Sequence, residues 1–69
     1  MITIQELKQA LTEIRFNDMD EFVRRCVFYA EEDGKIPKKI PIEVIEDVGL
    51  SMMRYESRKL LLNALGYTV

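Results

Sequence analysis

Apolar residues recur along this chain at helical spacing, and three glycines punctuate the pattern. Ile4, Leu7, Leu11 and Ile14 stand at i, i+3, i+7 and i+10 with Ala10 alongside, while Lys8, Thr12 and Arg15 fall outside the stripe. A period near 3.6 predicts an amphipathic helix from about Thr3 to Phe16. Thr3 followed by Glu6 gives it a capping box, in which hydroxyl and carboxylate satisfy each other's orphan amides. A second helix is expected from about Asp18 to Asp33, ending at Gly34. Met19, Phe22, Val23, Cys26, Val27, Tyr29 and Ala30 share its broad apolar face, and Asp18 with Glu21 repeats the capping spacing. The few residues around Asn17 leave room only for an antiparallel hairpin of these two helices.

Lys35 to Ile40 reads as a stiff connector, because Pro37 and Pro41 fix φ and hold the residue before each in extended geometry. Pro41 suits the first turn of a third helix, about Pro41 to Val48, with Ile42, Val44, Ile45 and Val48 inward. The alternative is a strand across Ile40 to Ile45, where β-branched residues dominate, with Tyr67-Thr68-Val69 as its partner. A fourth helix is expected from about Ser51, its N-cap, to Leu65, where Gly66 ends it. Met53, Ser57, Leu60, Leu61, Ala64 and Leu65 form its inward face, and Met52, Glu56, Lys59 and Asn63 point away. The expected architecture is all-α: one four-helix domain over residues 1–69, a helical hairpin followed by a proline connector and a helix-turn-helix-like pair.

Composition narrows the function classes. With 48% apolar and 32% charged residues in 69, the chain resembles a small globular domain rather than a disordered one. No apolar run reaches membrane-spanning length, and the opening residues lack a signal peptide's basic and apolar regions. A single Cys fits a reducing compartment, so a cytoplasmic location is expected. The absence of His removes Ser-His-Asp, Cys-His and His-metal arrangements, and one Cys removes a cysteine zinc site. None of the three glycines lies in a phosphate-cradling pattern. The expectation is a non-enzyme with no cofactor and no metal.

Four features could carry a binding function. The segment Gly49-Leu50-Ser51 between the third and fourth helices resembles the turn of a helix-turn-helix DNA-binding motif, with apolar residues where the motif needs them at Val44, Val48, Leu50 and Tyr55. It departs from that motif at Ile45, where a small residue is usual, and at Arg58, where an apolar one is. The resemblance implies a DNA-reading role for residues 51–65.

The charge distribution supplies the second feature. Residues 1–34 carry four basic and eight acidic side chains, whereas residues 35–69 carry six basic and four acidic ones. Lys35, Lys38, Lys39, Arg54, Arg58 and Lys59 are therefore the candidate nucleic-acid-binding residues. Against them stands an acidic whole chain with net charge −2.

Third, Glu31, Glu32 and Asp33 sit at the disfavoured end of a helix dipole, as do Lys35, Lys38 and Lys39 before the next helix. Either cluster could dock an oppositely charged partner, or the two could neutralise each other. Fourth, Phe28 projects from a polar face, Phe16 lies off its helix's stripe, and Tyr55 and Leu62 flank theirs; aromatics so placed are natural interface anchors. Phe28, Glu31, Glu32, Asp33, Tyr55 and Leu62 are thus the candidate protein-binding residues. Cys26 and the methionines read as core filling.

These readings favour a small non-catalytic regulator, an inhibitor, adaptor or antirepressor, that binds a larger protein or protein complex. From its size alone, a phage or mobile-element origin is expected. A helix-turn-helix regulator is the alternative, and either could be a homodimer.

Overall fold

In a computed structural model, residues 1–67 are described. The elements run β1 (Ile2–Thr3), α1 (Ile4–Glu13), α2 (Met19–Ala30), β2 (Lys39–Ile40), α3 (Ile42–Met52) and α4 (Tyr55–Ala64). The domain is all-α in character, with four helices and one very short antiparallel ladder pairing Ile2 with Ile40 and Thr3 with Lys39. The third helix is present over most of its expected span, and the alternative strand across Ile40 to Ile45 reduces to its first residue. Pro41, extended at φ −61° and ψ 143°, ends the ladder and serves as N-cap of α3. Of the partner proposed for that strand, Thr68 and Val69 lie outside the described residues.

The helices form a ring: α2 packs on α1 and α3, and α4 packs on α1 and α3. Phe22, Leu7, Leu11, Ile40, Ile45, Leu61, Val48 and Cys26 are fully enclosed at its centre. Among the described residues no polar or charged side chain is buried. Cohesion is therefore hydrophobic throughout, each enclosed Ile, Leu or Phe contributing about 1.5–3 kcal/mol. Burial in this apolar interior pushes the Cys26 thiol up to about 12, which suppresses the reactive thiolate.

Helix ends account for most departures from the expected boundaries. The Thr3–Glu6 capping box is present: the Glu6 amide donates to Thr3 Oγ1 at 3.1 Å, and the Thr3 amide donates to Glu6 Oε1 at 3.0 Å. Asp18 makes no such bond: at φ −98° and ψ 42° its backbone lacks the extended geometry of a capping residue, and the Glu21 carboxylate is taken by Arg24 and by Arg25, whose Nε lies 2.9 Å from its Oε2. Helix α1 stops at Glu13 rather than Phe16. Arg15 turns left-handed at φ 56°, and the Phe16 amide donates back to the Leu11 carbonyl at 3.1 Å. This is a Schellman closure with arginine where glycine is usual. It carries Phe16 inward, edge-on to Phe22 at 5.8 Å, so Phe16 is a packing residue and not a free anchor. Gly66 makes the same closure for α4 at φ 92°, with the Tyr67 amide on the Leu62 carbonyl at 2.8 Å.

Helix α2 ends at Ala30, three residues before Asp33. Asp33 and Gly34 both take positive φ, 52° and 70°, and the Lys35 amide donates to the Glu32 carbonyl at 2.9 Å. Two left-handed residues in a row make a type I′ turn, which Asp-Gly favours strongly. Three acids added to the helix's negative end would oppose its dipole, so the local chemistry also favours leaving the helix early.

Helix α3 runs four residues past Val48. Ile45, Val48, Gly49 and Met52 continue one inward stripe, and burying Met52 draws Gly49 and Leu50 into helix. The α3–α4 pair exists, but its turn is Met53-Arg54, both extended. Ser51 lies inside α3, donating from Oγ to the Val48 carbonyl at 3.0 Å, and does not cap α4. On α4, Leu60 and Ala64 are exposed while Leu61 is fully buried.

Two left-handed positions, Arg15 in the closure of α1 and Gly34 in the turn after α2, predict substitutions of opposite sign. Arg15→Gly relieves a backbone cost and should raise stability by about 0.5–1 kcal/mol. Gly34→Ala imposes one and should lower it by about 1 kcal/mol. Equilibrium urea unfolding decides, and shifts of the same sign would contradict the assignment.

Acid sensitivity follows from two helix carboxylates, one in a cap and one held by arginines. Hydrogen bonds from the Thr3 amide and then its hydroxyl hold Glu6 below the usual carboxylate pKa, and the Arg25 and Arg24 hydrogen bonds hold Glu21 below it. A lowered folded pKa stabilises the fold above the ordinary value and loses that contribution as pH falls through the lowered one. Stability should therefore fall below pH 4.5, and the double variant Glu6→Gln, Glu21→Gln should show a shallower acid limb. Identical slopes in the two proteins would contradict this.

Candidate protein-interaction surface

The ring of helices leaves several large apolar side chains outside it. Near the end of α2, Phe28 is 68% and Tyr29 67% exposed, their rings edge-to-face at 5.4 Å. Phe28 was expected on a polar face and is found there. Tyr29 was expected inward and is not: Phe22, Val23 and Cys26 are the buried residues of α2, Val27 and Ala30 beyond them pack partly against the core, and Tyr29 falls outside this narrower face. Tyr29 instead borders a groove of about 420 Å³ between α2 and α3, with Val44, Asp47, Val48 and Ser51.

Across α3 from this groove is a smaller one against α4, about 100 Å³, lined by Ile45, Glu46, Asp47, Gly49, Leu50, Arg58, Leu61 and Leu62. Asp47 borders both, so the outer face of α3 is the ridge between them. Leu50, 63% exposed, stands on that ridge one helical turn from Glu46 and Asp47. Glu43 lies two turns back on the same face. The helix carries three carboxylates and no basic side chain from Ile42 to Met52.

Gly49 explains how α4 comes so close to this ridge. A Cβ at Gly49 would stand 3.2 Å from both Cγ and Cδ of Arg58, so the arginine's aliphatic stem lies where any other residue would carry a side chain. The Arg58 guanidinium reaches the Tyr55 ring at 5.6 Å, and its enclosed Nε has no hydrogen-bond partner among the described residues. Tyr55 itself is 63% exposed and Leu62 is half-buried at the groove.

The candidate cations separate by element. Lys35, Lys38 and Lys39 belong to the turn and strand after α2, and all are exposed. Lys39 pairs across the ladder with Thr3, and its charge helps lower the pKa of Glu6, so it lies against the acidic start of α1. Arg54, at the N-cap of α4, and Lys59, at its middle, are exposed, while Arg58 packs on α3. Glu31, Glu32 and Asp33 are exposed around the Asp-Gly turn. Glu32 and Lys35 face each other across that turn, but among the described residues ion pairs within 4.0 Å are those of Glu21 with Arg24 and Arg25. Neutralisation of one cluster by the other is thus no closer than solvent-separated attraction.

Tyr29 and Leu50, with Leu60 on α4, are exposed apolar residues that sequence reasoning missed. Tyr29 stood at the margin of a stripe wider than its neighbours could cover, and Leu50 was assigned to a turn that does not form there. Among the described residues no helix is long and apolar enough to cross a membrane, and no group of three or more His, Cys, Asp or Glu could hold a metal ion. No family model matches the chain, no curated protein matches it, and no solved structure matches it.

Proposed function

We propose that this chain is a small non-catalytic regulatory protein that binds a larger protein or protein complex, as an inhibitor, adaptor or antirepressor. The observation that carries this reading is the Phe28–Tyr29 pair, held edge-to-face in solvent beside a groove, while a separate, wholly apolar core supports the fold. Aromatics contribute large contact area with few rotatable bonds, and they dominate the energy of interfaces where they are buried. Leaving both in water has no structural return, so a partner is their natural cover. The proposed setting is a reducing cytoplasm, supported by the lone cysteine.

A DNA-reading role for residues 51–65 is the second reading, favoured by the tight α3–α4 pair and by exposed Arg54 and Lys59. It is weakened by the carboxylates of α3 beside that pair, which would repel phosphate. It is weakened also by Arg58, whose stem is occupied in packing.

The test compares wild type with Phe28→Ser, Tyr29→Ser by affinity capture from a native lysate and quantitative mass spectrometry. The double variant should unfold within about 0.5 kcal/mol of wild type, as surface substitutions do. It should also lose the proteins that wild type retains. Capture unchanged by the double substitution would overturn the reading. Micromolar binding of duplex DNA at low salt, weakening steeply as salt rises, would favour the second reading instead.

A further inference from the structure

The outer face of α3 combines features that together define a partner's chemistry. Its exposed side is acidic at Glu43, Glu46 and Asp47, with no compensating base on the helix. Leu50 stands among these carboxylates as the one large apolar side chain of that side, well exposed. Grooves run along both flanks, one floored by Val44 and Val48 beside Tyr29, the other by Ile45 and Leu61 beside Leu62. Apolar groove floors call for aliphatic side chains, and a ridge with three carboxylates and one neighbouring cation, Arg58, whose stem is packed on Gly49, calls for net positive charge opposite it.

We propose that this face seats a cationic amphipathic helix of the partner protein, its aliphatic stripe against Leu50 and the two grooves and its lysines or arginines against Glu43, Glu46 and Asp47. The proposal rests on the protein-binding reading above and deepens it by naming what is bound. Helix-in-groove recognition seats aliphatic anchors in apolar grooves, and this face offers two such grooves beside Leu50. A second copy of this chain is a poor occupant, since self-pairing through α3 would set three carboxylates against three. A polyanion is poorer still. Charge complementarity here would act mainly on encounter rate and partner choice, with the aliphatic contacts supplying the affinity.

The probe is a fluorescein-labelled synthetic helix of leucine and lysine in amphipathic order, titrated by anisotropy with the full chain. A peptide of equal charge with serine in place of leucine should bind about tenfold or more weakly, because its apolar contacts are gone. Equal binding by the two peptides would mean unspecific charge attraction and would overturn the proposal. Glu46→Lys with Asp47→Lys should weaken the leucine peptide by about tenfold, and Glu13→Lys with Asp20→Lys, at exposed positions on α1 and α2, by no more than about threefold. Equal losses from the two variants would likewise overturn it.

A measurement on the unmodified chain guards against misfolded variants. Amide chemical shifts on adding the leucine peptide should move at Tyr29, Asp47 and Leu50, and shifts confined to other elements would contradict the assignment. Should the peptide fail while Phe28- and Tyr29-dependent capture persists, only the cationic-helix assignment falls. Should both fail, the protein-binding reading falls with it.

Discussion

Ile40 holds this fold closed. It is the single fully buried side chain of the long segment between α2 and α3, and it pairs across a two-residue ladder with Ile2, itself nearly enclosed. Pro37 and Pro41 bracket it, stiffening the chain so that one side chain can be inserted without a regular element around it. That one insertion pins the N-terminus, the connector and the start of α3 to the same point. Truncating such a residue would open a cavity, at a cost of about 2–5 kcal/mol.

The closure has a consequence for the outer surface. With the base of the core sealed by Ile2 and Ile40, α2 and α3 satisfy the interior from one face each, through Phe22, Val23 and Cys26 and through Ile45, Val48 and Gly49. Their outer faces are released from any packing duty. On a polar outer face that release would be ordinary for a small domain. Here it leaves Phe28, Tyr29 and Leu50 in water beside a run of carboxylates, at a place where Gly49 has let α4 approach closely enough to form a second groove. The functional reading grows from this division between residues that hold the fold and residues that do not.

Much of the division was legible in the residue pattern, and the remainder was hidden for identifiable reasons. The four helices, the Thr3–Glu6 cap, the hairpin and the buried Cys26 follow from periodicity and capping chemistry, both local. Phe28 could be placed outside because its neighbours in helical projection are charged. The end of α2 was misplaced because Gly34 was taken for a helix terminator, whereas Asp33-Gly34 is a hairpin turn in its own right. The end of α3 was misplaced because Gly49 looks like punctuation. Its role, to admit the stem of Arg58, depends on a residue nine positions away that local pattern cannot reveal. Once that turn was put too early, Leu50 became a turn residue and the acidic ridge of α3 could not be seen as one face.

The central claim is that Phe28, Tyr29 and Leu50 face water in the isolated chain while Phe22, Ile40 and Ile45 do not. Relaxation of their side-chain proton resonances by a soluble gadolinium chelate, extrapolated to low protein concentration, reads this directly. The first three should relax strongly and alike, and the second three should be shielded. Shielding of Tyr29 and Leu50 comparable to that of Ile40 would mean that the chain already covers this surface itself, and would contradict the account.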